Sequence, residues 1–148
     1  MRLAAEVLKL DGWTIVYICI PNSPHINVVP IPTRTNHSKQ RYPDVVAVRG
    51  EVTKLIEVEP RLTLSVAKNI ALRFRESGDA LSDTKLWNSW VSQVQSLTKI
   101  SMPKSFESSF DLILCHDLKP YHEVAASYLR LLNISVNGVG SLTTGDYP

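Results

Sequence analysis

The sequence has little of what most often fixes a small protein's class. Only two of its 148 residues are cysteine, Cys19 and Cys115, so a disulfide scaffold is excluded. Both lie in apolar runs, which predicts buried free thiols. No four-ligand Cys/His spacing is present, and that excludes a zinc module. No apolar run approaches the roughly 20 residues that span a bilayer. The longest near the N-terminus is Ile15-Val16-Tyr17-Ile18-Cys19-Ile20. Glu6, Lys9 and Asp11 before it do not make a signal-peptide layout. The expectation is a soluble cytoplasmic protein with no membrane partner. An excess of one charge is also lacking, since 16 Lys+Arg against 14 Asp+Glu leave a net +2. That balance permits an anionic partner without demanding one.

What is present is ordinary globular composition. Hydrophobic residues are 44% and charged residues 20%, which argues against disorder, collagen and coiled coil. The length suits one domain with a single core. Residues 2–11 read as a short helix with Leu3, Val7 and Leu10 on one stripe and Gly12 as its stop. Trp13–Ile20 is β-branched and aromatic and reads as a strand closed by Pro21. Five prolines in residues 21–43 exclude helix there. Ile26–Ile31 reads as an edge strand, followed by a polar, basic loop. Asp44–Val48 and Val52–Glu59 form two strands, and Gly50-Glu51 fits a two-residue turn with glycine first.

Ser65–Ser77 reads as a helix with Gly78 beyond its end. Residues 84–100 form a second amphipathic helix, with Trp87, Trp90, Val91, Val94 and Leu97 at helical spacing. Phe110–Cys115 suits a strand covered on both faces. Pro120 opens a last helix whose inner face is Tyr121, Val124, Ala125, Tyr128, Leu131 and Leu132. The expectation is one α/β domain over residues 1–134, a central mixed sheet flanked by helices, with 135–148 as a fraying tail.

The chemistry concentrates in Tyr42–Glu59. Side chains alternate along a strand, so Glu57 and Glu59 share a face with Leu55. With Gly50-Glu51 as the turn, Arg49 pairs with Val52, Val48 with Thr53 and Asp44 with Glu57. Opposed residues share a face with Cβ atoms roughly 5 Å apart, so Asp44, Glu57 and Glu59 cluster. An isolated Glu-x-Glu is usually solvent-facing. Here both strands are otherwise nearly all apolar, and unpaired carboxylates on such a face are costly. A divalent cation would hold the three together, and all-oxygen ligands favour Mg²⁺ or Mn²⁺.

Pro43-Asp44, a hairpin, then Glu57-Val58-Glu59 resembles the PD-(D/E)xK nuclease superfamily, the restriction-endonuclease-like fold. That family's core runs helix, strand, strand, strand, helix, strand, and residues 2–115 can be read that way. The matched positions are Asp44, Glu57 and Glu59. The third departs from the usual lysine. In some branches the lysine's role comes from the following helix, where Lys68 stands, about 60° around the helix from Ala71. Arg61 is the alternative. Family members often carry a glutamate on the first helix near the metal. Glu6 fills that position or is a surface residue.

The resemblance implies metal-assisted hydrolysis of DNA phosphodiester bonds by an endonuclease, and no sequence-reading motif is visible. Asp44, Glu57, Glu59 and Glu6 would ligate the metal, and Lys68 would stabilise transition-state charge. Arg34, His37, Lys39 and Arg41 before the motif, and Arg61, Lys68, Arg73 and Arg75 after it, would meet phosphates or simply solubilise the surface. A chain this small would act on duplex DNA as a homodimer, with the Trp87/Trp90 helix as interface or as ordinary core. The competing expectations are a non-catalytic DNA-binding or assembly module on the same fold, and an interaction protein whose carboxylates pair with Arg49, Lys54 or Arg61. His116-Asp117 lies at a strand end, where function often sits, but has no nucleophile motif beside it.

Overall fold

A computed structural model describes residues 2–20, 28–32 and 41–139. The chain forms a single α/β unit around one five-stranded mixed sheet, with strands in the order β1-β2-β3-β4-β5. Helix α1 spans Arg2–Leu10, followed by β1 (Thr14–Ile18), β2 (Val45–Arg49) and β3 (Val52–Glu59). These three strands are antiparallel neighbours. Helices α2 (Leu64–Leu81) and α3 (Thr84–Thr98) then carry the chain back to β4 (Glu107–Leu114), which pairs parallel to β3. A 3₁₀ turn at Pro120–His122 leads into α4 (Glu123–Leu131), and β5 (Ile134–Gly138) completes the sheet, parallel to β4.

The sheet is covered on both faces, and β2 is therefore buried along nearly its whole length. On one face Val46, Leu55, Leu112 and Leu114 pack with Ile70, Phe74, Trp90 and Leu129 from α2, α3 and α4. On the other, Val45, Ala47, Ile56 and Ile113 pack with Ala4 and Leu8 of α1 and with Trp13. Thr63 caps α2, its hydroxyl accepting from Val66 N–H at 3.2 Å. Asp83 caps α3, accepting from the N–H groups of Lys85 and Leu86. Trp87 and Trp90 are buried, so the tryptophan helix belongs to the core.

Several expectations are corrected. The inner face of α1 is Ala4, Ala5, Val7 and Leu8, while Leu3 and Leu10 are exposed. Small residues let this helix lie close on the sheet. Helix α2 runs on through Gly78 to Leu81, because a missing side chain at 78 lets Phe110 of β4 press against the helix. In α4 the buried side is Ala125, Ala126 and Leu129, and Tyr121, Val124, Leu131 and Leu132 face outward. Ser135 does not begin a tail. Asn133 adopts a left-handed φ of 61°, which turns the chain straight from α4 into β5, so the sheet extends past residue 134. Cys19 is buried, but Cys115 is exposed just beyond β4. Of the expected edge strand, Ile26 and Asn27 lie outside the described residues, and Ile31 makes only an isolated bridge to Arg41.

Candidate functional site: an acidic cluster closed by one arginine

The hairpin register follows the sequence reading. Val45 lies opposite Ile56, and Arg49 opposite Val52. Gly50 has φ of +59°, and Glu51 is not left-handed, as a glycine-first turn requires. Asp44 precedes β2 and is tied to both neighbouring strands. Its carboxylate accepts from Val58 N–H at 2.7 Å, and its carbonyl accepts from Cys19 N–H at 2.9 Å.

Glu57 is 6% exposed on the face covered by α2. Burial pushes its carboxyl well above the ordinary range, the Asp44 charge and a hydrogen bond with Asp44 push it further, and Arg73 partly opposes them. Glu59 is raised by burial, with Arg73 again opposing and Asp44 adding. The buried thiol of Cys19 on the β1 side is raised by burial and then by Asp44 and Glu57. Tyr17 is raised by burial first and then by Cys19, Tyr42 and Glu57, and its hydroxyl donates to Val29 O at 2.9 Å. The three carboxylates therefore share one electrostatic neighbourhood.

Among the described residues, the cation paired with the two glutamates is Arg73 of α2. Its guanidinium spans both glutamates, Nη1 at 3.6 Å from Glu57 Oε2 and Nη2 at 3.7 Å from Glu59 Oε1. Arg41, Tyr42, Pro43, Glu57, Arg73 and Ser77 line a small pocket of about 260 Å³ here. Arg41 is held at its edge by Glu76, at 2.9 Å from Nη2. The cations Lys54 and Arg49 serve other carboxylates. Lys54 pairs with buried Asp111 at 2.8 Å on the opposite face of the sheet, and Arg49 pairs with Asp11 at 3.4 Å.

Lys68 is not brought to the cluster. Five residues from Arg73, it points roughly 140° away around the helix and shares an exposed groove between α2 and α4 with Arg75. Glu6 is exposed, pairs with Lys9 at 3.2 Å, and rides on α1, which covers the other face of the sheet. Arg61 lies beyond the end of β3 in a separate cleft. Arg34, His37 and Lys39 lie outside the described residues. Sequence reasoning set Arg73 among the phosphate-facing cations and missed its place at the carboxylates. Its signal was its place three residues after Ile70 and one before Phe74, on the flank of the buried stripe.

Among the described residues, no group of three or more His, Cys, Asp or Glu side chains is gathered as a metal shell. The oxygen donors Asp44 and Glu57 do fit an ion that binds through one or two carboxylates and completes its shell with water and substrate phosphate, as Mg²⁺ does. Glu59, like Glu57, is engaged by Arg73. No helix among the described residues is long and apolar enough to cross a membrane. No protein-family model matches the chain, and neither curated proteins nor solved structures give a match.

Proposed function

We propose that the chain is a metal-dependent nuclease of the PD-(D/E)xK type that hydrolyses DNA phosphodiester bonds. The observation that carries this reading is the convergence of Asp44 and Glu57 with one arginine from the helix that follows their hairpin. The element order supports it: helix, three strands, helix and strand recur here with α3 as an addition. The reading brings with it a cytoplasmic setting, a DNA partner and a homodimer that meets both strands of a duplex.

Asp44 and Glu57 would hold Mg²⁺ or Mn²⁺, which when bound polarises the phosphoryl oxygen and acidifies a water. Glu57, whose carboxyl is raised by burial and by Asp44, would lose its proton to serve as a ligand. Asp44 is fixed by Val58 N–H and cannot swing away. Arg73 then turns from its two glutamates to the charge that builds on the phosphate, where a planar fork of donors suits two oxygens at once. Glu59 orients Arg73 or the attacking water. In this arrangement Arg73 takes the part the usual motif lysine plays, and Glu59, at the position where the motif has that lysine, helps seat it.

A non-catalytic DNA-binding module is the second reading, favoured by the glutamate at the third motif position. Incubation with single-stranded, duplex and branched DNA and Mg²⁺ or Mn²⁺ separates the two. Cleavage that Asp44→Ala reduces by about a hundredfold or more supports the nuclease. DNA retention without cleavage by the intact protein supports the module.

A further inference from the structure

A second, larger cleft of about 1060 Å³ opens at the carboxyl ends of β3 and β4. These strands run parallel, with Glu59 opposite Leu114, and the ends of parallel strands are where α/β proteins take ligands. Pocket size and position both suit a small molecule. Its base is apolar, with Leu62 and Leu114 buried. Arg61 and Lys119 bring two cations to it against the single carboxylate of Asp117. The start of α2 at Thr63 also lines it. That 18-residue helix leaves its first N–H groups, on Leu64 and Ser65, without partners inside the helix.

The independent observation is His122. It is 6% exposed and lines the cleft. The backbone N–H of Lys119 donates to its Nδ1 at 3.0 Å, which leaves the ring proton on Nε2. That Nε2 has no partner among the described residues, although the ring is almost wholly buried. Its Nε2–H is open to the cleft and can donate to an acceptor bound there. Beside it stands Tyr121, 79% exposed, with its ring 4.3 Å from that of His122. The wall is fixed as well, since Gly138 lets the 116–118 backbone approach so closely that a Cβ there would lie 2.8 Å from Leu118 N.

We infer that this cleft binds a phosphomonoester carried on a nucleoside. Arg61, Lys119, His122 Nε2–H and the first N–H groups of α2 receive the phosphate. Tyr121 offers an aromatic face to the base. The ligand is a free mononucleotide or the phosphorylated end of a strand, and Glu59-Pro60-Arg61 links this cleft directly to the acidic cluster. The binding does not depend on hydrolysis.

The test is calorimetry on the intact chain in metal-free buffer with chelator, using deoxyadenosine monophosphate, deoxyadenosine and inorganic phosphate. The nucleotide binds about tenfold or more tighter than the nucleoside, and Arg61→Ala removes the difference. Tyr121→Ala weakens the nucleotide and leaves inorganic phosphate unchanged. Both positions are exposed, so neither variant threatens the fold. Equal binding of nucleotide and nucleoside, or an Arg61→Ala protein that still prefers the nucleotide, overturns the site. Two oligonucleotides that differ only in a terminal phosphate identify the source: a preference for the phosphorylated one supports a strand end, and equal binding beside tight mononucleotide binding supports the free nucleotide. Glu57→Gln disables the proposed hydrolysis and leaves this binding intact, so the two readings fail separately.

Discussion

Glu57 is a carboxyl held where a carboxylate is expensive. Burial and the Asp44 charge raise it above its unfolded value, so the folded state keeps a proton that the unfolded chain has given up. Stability from this group is greatest below the unfolded value and falls as pH rises toward the folded one. Glu57→Gln should therefore flatten that fall and leave the variant the more stable form at alkaline pH, by on the order of 1 kcal/mol. Urea unfolding between about pH 5 and about pH 8 checks this; a wild-type protein that gains stability over that range from this group contradicts it. Because metal ligands must be deprotonated, Mg²⁺ or Mn²⁺ should release a proton on binding. Calorimetry in two buffers of different ionisation enthalpy would show it, and Glu57→Gln should abolish the difference. Arg73→Ala should cost roughly a hundredfold in cleavage rate, with Arg73→Lys keeping part of it, since the ammonium retains the charge but not the fork.

At the scale of elements, α4 carries two apolar stripes, and packing chose the small one. Ala125 and Ala126 allow close approach to α2, whereas the bulkier Val124 and Leu131 stay outside. Ala126→Leu should destabilise by roughly 1–3 kcal/mol through overpacking. Val124→Lys should change stability by no more than about 0.5 kcal/mol. Thermal or urea unfolding of the pair decides between the two faces. The same helix shows what was legible. Periodicity located α4 but could not say which of two stripes faces in. The register of the β2–β3 hairpin was legible, because period-two alternation and one glycine leave a single pairing, although β2 runs Val45–Arg49 where Asp44–Val48 was expected. Strand β5 was not: Ile134-Ser135-Val136-Asn137-Gly138 is short and ends in turn formers, and only pairing with β4 makes it a strand. The place of Arg73 at the cluster was hidden because which cation on a helix meets a strand depends on how the two pack. Lys68 resembled the missing lysine in charge but not in direction.

For the whole molecule, a net charge of +2 conceals a separation. Three carboxylates gather at one end of the hairpin, while Arg41 and Arg73 stand over them and Arg61 and Lys119 line the adjoining cleft. An acidic centre bordered by cations is what a cation-assisted reaction on a polyanion requires. The sheet makes this possible by antiparallel pairing on one side of β3 and parallel pairing on the other, so Asp44 and the carboxyl ends of β3 and β4 meet at one edge of the fold. The most direct test is the initial rate of DNA cleavage with Mg²⁺, with Mn²⁺ and with chelator, for the intact protein and for Glu57→Gln. The account predicts metal-dependent cleavage that the substitution lowers by about a hundredfold or more with the fold intact by circular dichroism. Cleavage that persists in Glu57→Gln at the wild-type rate, or that is indifferent to the chelator, would contradict it.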